Sequence, residues 1–137
     1  MKEINLEIIT PSKQAFKGQV KNISVPGTSG SFQVLYNHAP LLSSFEIGKV
    51  KLMDLEDKEI EFATGGGTVE VIDNKILILA DSMESKDEID VERAKNSYNR
   101  AKERLASKNR NEIDGLRAEA ALMRSINRLK FVEHSIG

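Results

Sequence analysis

A chain of 137 residues with a formal charge of −1, 39% hydrophobic and 30% charged residues has the make-up of a soluble globular protein. It has room for one real core, and so for one domain or one domain plus an appendage. It contains no cysteine, which excludes a disulfide framework and thiolate chemistry and fits a reducing compartment. The opening MKEINLEIITP has neither the apolar core of a signal peptide nor an arginine-rich transit pattern. No apolar run approaches the roughly 18 to 20 residues that span a bilayer. The chain is expected to be soluble and intracellular, reaching a membrane only through a partner.

The predicted elements begin with a half-buried strand, INLEIIT, where Ile4, Leu6 and Ile8 alternate with Asn5 and Glu7. VKNISV, SFQVLY, PLLSSFEIG, KVKLMDL, EIEFATGGG, TVEVI and KILILA follow. Turn chemistry such as PGTSG separates most of them, and DNK reads as a hairpin loop. About eight to ten short strands at this spacing argue for an antiparallel β-sandwich or flattened barrel. KILILA is expected to be central and well buried. A helix within 38–50 is disfavoured by Pro40 and Gly48. The glycine run Gly65, Gly66, Gly67 is not a phosphate loop, because no Lys-Ser/Thr and no helix follow it. It reads as a bulge or a close backbone approach inside the sheet. His38 and His134 are the two histidines and make an improbable metal pair. His38 reads as a loop residue with a structural hydrogen bond, or as a binding contact.

A composition boundary falls near Ser82 to Glu88. Residues 1–88 hold nine lysines, no arginine and fourteen acids, a balance of −5; residues 89–137 hold eleven Lys/Arg and seven acids, a balance of +4. All seven arginines lie beyond this boundary, and all three prolines lie before it. The period then changes to that of a helix, beginning at Asp87 or Asp90: Val91, Ala94, Tyr98, Ala101 and Leu105 recur at steps of three and four. Asp87, Glu88, Asp90 and Glu92 sit where the dipole favours acids. SKNRN breaks this helix, and Asn111 can cap a second one reaching about Val132. That helix carries Ile113, Leu116, Ala120 and Met123 on one flank and Leu122, Ile126 and Leu129 on the other. Two helices joined by so short a turn form an antiparallel hairpin. The expected class is α+β, a β-sandwich over 1–86 followed by a helical hairpin over 87–137.

Arg93, Arg100 and Arg104 share one face of the first helix, and Arg117, Arg124 and Arg128 repeat the same spacing on the second. If the hairpin closes, the two rows can border one groove whose planar forks of donors suit phosphate oxygens. The same pattern also fits a solvated face, with Glu103 and Glu119 as pairing acids. Nucleic acid is disfavoured, because acids are interleaved throughout and no aromatic series offers stacking. No nucleophile–base pair, metal cluster or P-loop stands out, so no catalytic residue and no metal site are expected.

GSFQVLYNHAPLL (30–42), FATGGGTVEV (62–71), ILADS (78–82) and IDVERA (89–94), in this order and at this length, resemble the epsilon subunits of bacterial F-type ATP synthases. The resemblance implies a non-catalytic rotor-stalk subunit at the cytoplasmic face of the bacterial inner membrane. Its sandwich would bind the gamma subunit and the c ring. Its hairpin would lie folded, or extend toward the catalytic alpha and beta subunits and inhibit ATP hydrolysis. IDVERA also matches the motif of members that bind ATP in the folded hairpin. In those members the positions of Glu84, Ile89, Asp90 and Ala94 surround the adenosine, and those of Arg93, Arg100, Arg124 and Arg128 meet the phosphates. ATP would thus be a regulatory ligand, with no cofactor required. Where the family often has Pro-Gly before His-Ala-Pro, this chain has Tyr36-Asn37, and where many members have glutamate it has Ser31. Ser31 and His38 are the candidate c-ring contacts. The alternative is a stand-alone β-sandwich binding module with a helical hairpin and no nucleotide sensing.

Overall fold

The computed structural model describes residues 2–107 and 111–134. Strands β1 (Ile4–Ile9), β2 (Gln14–Gly27), β3 (Gly30–Val34), β4 (Leu41–Asp54), β5 (Glu59–Ile72), β6 (Lys75–Ala80) and β7 (Met83–Glu84) come first. A 3₁₀ turn (Lys86–Glu88) and helices α1 (Val91–Ala106) and α2 (Glu112–His134) follow. The chain divides between Ser85 and Lys86 into two compact units.

Alternation builds the first unit. Ile4, Leu6 and Ile8 of β1 point inward, as do Val20, Ile23 and Val25 of β2, Val50 and Leu52 of β4, Val69 and Val71 of β5, and Ile76 and Ile78 of β6. β1 pairs antiparallel with β2 and parallel with β6. β6 pairs with β5, β5 with β4, and β4 with β2, so the ring of strands closes into a flattened barrel. β3 extends the edge of β2 beyond β1, from Ile23↔Val34 to Gly27↔Gly30. Closure leaves few open edges and collects the large aliphatic side chains into one core.

The described residues hold seven strands rather than eight to ten. PLLSSFEIG and KVKLMDL are one strand, β4, and EIEFATGGG and TVEVI are one strand, β5. The two run in constant register from Leu41↔Val71 to Met53↔Glu59, so neither Gly48 nor the glycine run interrupts the pairing. The glycines instead let β5 change partners, from β7 at Ala63 and Thr64 to β6 from Gly67 onward. Gly66 has φ +95°, a conformation that favours glycine, and a Cβ on Gly67 would stand 2.0 Å from the carbonyl oxygen of Leu79. This is the close backbone approach expected from the sequence.

β6 differs from its expected burial. Only Ile76, Ile78 and Ala80 are buried, and Leu79 is 49% exposed, because the sheet's outer face is open to solvent within this unit. Its hairpin with β5 turns at Asp73 and Asn74, both at positive φ, the geometry of a two-residue type I′ loop.

Candidate functional site

α1 starts where its cap places it. Asp90 is extended, and its carboxylate Oδ1 accepts from the amide of Arg93 at 3.0 Å. The helix therefore begins at Val91, with the 3₁₀ turn at Lys86–Glu88 ahead of it. Asn111 does the same for α2: its side-chain oxygen accepts from the Asp114 amide at 2.8 Å, and its carbonyl accepts from the Gly115 amide at 3.0 Å. The expected turn at Lys108, Asn109 and Arg110 lies outside the described residues.

α1 and α2 pack on each other, and the short link makes the pair an antiparallel hairpin. Its seam is made of small residues. Ala94 and Ala101 are buried on α1; Gly115, Ala118 and Ser125 are buried on α2, with Phe131 near its end. The Ser125 hydroxyl donates to the Ala121 carbonyl, which satisfies it inside the helix. Ile113, Leu116 and Met123, expected to form an apolar flank, are exposed. Apart from Phe131, the buried residues of the two helices are small ones.

This seam decides where the arginines point. Arg93 precedes Ala94, Arg100 precedes Ala101, Arg117 precedes Ala118 and Arg124 precedes Ser125. Each arginine is therefore turned about 100° from the seam in one sense, and Arg104 and Arg128, three residues past Ala101 and Ser125, are turned about 60° in that sense. In an antiparallel pair, equal offsets from the seam lie on the same side. The hairpin thus presents both arginine rows on one side. By the same geometry Glu92 and Glu103 fall on the back of α1, and Glu119 on the opposite flank of α2. Arg93, Arg100, Arg104 and Arg117 are exposed, while Arg124 and Arg128 are half-buried. The Arg100 guanidinium donates to Ser97 Oγ at 3.2 Å. Such an array can grip an anion with several oxygens by charge-assisted bonds.

Of the site residues singled out by sequence, Asp90, Arg93, Ala94 and Arg100 lie on α1 or at its cap, Arg124 and Arg128 lie on α2, and Ile89 is buried just ahead of α1. Ala94 is part of the seam itself. Glu84 belongs to the first unit, where it pairs with Ala63 across β7 and β5. Arg104 and Arg117 complete the array, as the spacing of the two rows led one to expect, although the family resemblance assigns neither to the phosphates. The signal was present, since each arginine row keeps step with a row of alanine or serine.

Ser31 and His38 lie at opposite ends of β3. Ser31 is exposed opposite Pro26, beside the β2–β3 turn. His38 is half-buried in the loop after β3, where its ring Nδ1–H donates to the Ala39 carbonyl at 2.7 Å. No cluster of three or more His, Cys, Asp or Glu able to hold a metal occurs among the described residues, and none of their helices is long and apolar enough to cross a membrane.

Comparison with known proteins agrees with this layout. Residues 3–86 match the family described as ATP synthase, Delta/Epsilon chain, beta-sandwich domain, and residues 87–133 match its long alpha-helix domain. The ATP synthase epsilon chain of Desulforamulus reducens is 41% identical over 128 residues, 93% of this chain and 96% of that one. The epsilon chain of Nitratidesulfovibrio vulgaris strain DP4 is 39% identical over 129 residues, 94% of this chain and 95% of that one. In three dimensions, a chain of the Euglena gracilis mitochondrial ATP synthase, OSCP/F1/c-ring in rotational state 1, superposes with a TM-score of 0.81. The match covers 98% of this chain and 83% of that one at 20% identity, a likeness of fold. With both of its parts matched in order, the chain belongs to the ATP synthase epsilon-chain family.

Proposed function

We propose that this chain is a non-catalytic subunit of the rotor stalk of a proton- or ion-driven F-type ATP synthase, peripheral at the cytoplasmic face of the bacterial membrane. Its sandwich joins gamma to the c ring, and its hairpin is a nucleotide-sensitive brake on ATP hydrolysis. Family membership supports the rotor reading, as do folds shared with chains from a Euglena F1/c-ring assembly and a Tetrahymena thermophila central stalk/c-ring assembly.

The observation that carries the sensing reading is the register of the arginines with the seam. The rows share one side only while the hairpin is closed, so a phosphate chain that bridges them binds the closed form. A ligand with that preference shifts the equilibrium by its differential affinity. The small-residue seam makes the shift feasible, because alanine and serine bury far less apolar area than leucine and leave closure with a small intrinsic advantage. Without ATP the hairpin extends, and its basic face is drawn to acidic surfaces of the catalytic alpha and beta subunits. In the closed form Arg93, Arg100, Arg124 and Arg128 hold phosphates, with Glu84, Ile89, Asp90 and Ala94 around the adenosine. Ser31 and His38 serve the c ring.

Calorimetric titration of the isolated protein with ATP and ADP tests the sensing half. Arg124→Ala is expected to weaken ATP about tenfold or more by removing a charged fork. Asp90→Asn keeps a capping oxygen and removes the charge, so it separates ligand contact from helix capping. Absence of heat at millimolar ATP, or unchanged affinity in both variants, overturns nucleotide sensing. Co-purification with gamma and the c ring tests the rotor assignment separately.

A further inference from the structure

One end of the barrel carries a groove of about 710 Å³ lined by Lys2, Glu3, Lys21, Leu35, Tyr36 and Leu55, together with Asn37. Its walls are locked by hydrogen bonds. The Asn37 amide donates to Asn74 Oδ1 at 2.6 Å, Asn74 Nδ2 donates to Asn37 Oδ1 at 3.2 Å, and the Asn5 amide donates to the Asn74 carbonyl at 2.9 Å. The loop after β3 is thereby clasped to the β5–β6 turn. On the far wall, Asp54 Oδ1 accepts from the amides of Glu56 and Lys58, both at 2.9 Å, which shapes the turn that presents Leu55. Lys21 is drawn to Asp57 of that same turn.

Within this rigid frame two features are unspent. Leu35 is 53% exposed and Tyr36 39% exposed, although both are large and apolar. Glu3 Oε2 is buried and has no hydrogen-bond partner. Lys21 is committed to Asp57, and no bond joins Lys2 to that oxygen. A shielded carboxylate oxygen without a donor is costly, and a cation brought to it removes the cost. Glu3 itself lines the groove, and the terminal torsion of a glutamate is broad, so its carboxylate can be offered to a ligand held there.

We propose that this groove receives an arginine side chain presented by a partner protein, with its aliphatic stem on Leu35, Tyr36 and Leu55 and its guanidinium on Glu3. The stem needs an apolar lining, and the planar fork matches a carboxylate. Tyr36 adds a ring face that favours the same cation. Because the walls are already fixed, little ordering opposes binding. The inference rests on the groove alone and not on the nucleotide or rotor readings.

The test is a ¹⁵N-NMR titration of the full chain with the capped peptide Gly-Gly-Arg-Gly-Gly. The amides of Glu3, Leu35, Tyr36 and Leu55 are expected to shift and saturate. A peptide with norleucine in place of the arginine keeps the stem and loses the charge, and is expected to bind about tenfold more weakly. Glu3→Gln is expected to lose the same factor with its spectrum otherwise intact, and the norleucine peptide gives the comparison on unaltered protein. The proposal is overturned by no shift at tens of millimolar arginine peptide or by equal affinity of the norleucine peptide. A glutamate peptide that binds the same residues more tightly, through Lys2, overturns it too.

Discussion

The barrel and the hairpin bury different kinds of residue. In the barrel, Ile4, Leu6, Ile8, Ile23, Leu52 and Ile78 are almost wholly shielded, and strand pairing closes on itself. In the hairpin the shielded seam is Ala94, Ala101, Ala118 and Ser125, while Ile113, Leu116 and Met123 stay exposed. Hydrophobic stabilisation follows area, so the barrel is the stable scaffold and the hairpin holds itself together weakly. The proposed function fits this division, because an element proposed to open and close is drawn from the low-stability end of a protein.

Substitutions that strike the two seams differently can break this contrast. The largest effect is expected from Ile78→Ala, which empties a fully shielded site and should cost about 2 to 5 kcal/mol in urea unfolding. Gly67→Ala should cost about 3 kcal/mol, because its methyl meets the Leu79 backbone, which cannot yield as a side chain would. If the glycine run were a mere flexible linker, that variant would unfold like the parent.

Ala101→Leu sharpens the comparison from the other side. It overfills the hairpin seam and should cost the closed hairpin about 1 to 3 kcal/mol, read as loss of helical circular dichroism and, under the nucleotide-sensing proposal, of ATP heat, while the barrel's resonances persist. Asn111→Ala removes one cap and should cost about 1 kcal/mol of α2 stability.

The smallest effect concerns the exposed ladder on the β4–β5 hairpin, where Lys51 Nζ lies 2.7 Å from Glu59 and Lys49 Nζ lies 2.8 Å from Glu61. Hydrogen bonding and then the charge of Glu59 raise Lys51 above its ordinary 10.5. A raised lysine adds stability that is complete below its unfolded pKa and fades as pH rises through the folded value. Unfolding scans from neutral pH to above 10.5 should therefore show slightly less alkaline loss for Lys51→Met than for the parent.

Much of this was legible in sequence because local rules sufficed. Alternation located inward residues of the barrel, Asn111 announced the cap of α2, and the shift in charge and proline content marked the passage from strands to helices. The start of α1 was narrowed only to Asp87 or Asp90, and the cap at Asp90 decides it. The strand count was not legible. Whether PLLSSFEIG and KVKLMDL are two strands or one depends on a partner that stays in register past Gly48, which is a property of β5 and not of β4 alone. On α1 the expected seam already held the buried Ala94 and Ala101, but on α2 the buried positions were hidden, because apolar periodicity weights Ile113, Leu116 and Met123 above Ala118 and Ser125.

The sequence by itself determined the class, the order of parts, the start of the second helix and the presence of two arginine rows, since each follows from spacing within one segment. Only tertiary structure decided that the barrel closes through β1 and β6, that Gly67 lies against the backbone of Leu79, and that both arginine rows share a side of the hairpin. Each of these depends on which surface a second segment covers. A chain's own periodicity tells which residues share a face, but the partner that packs against it decides which face is buried.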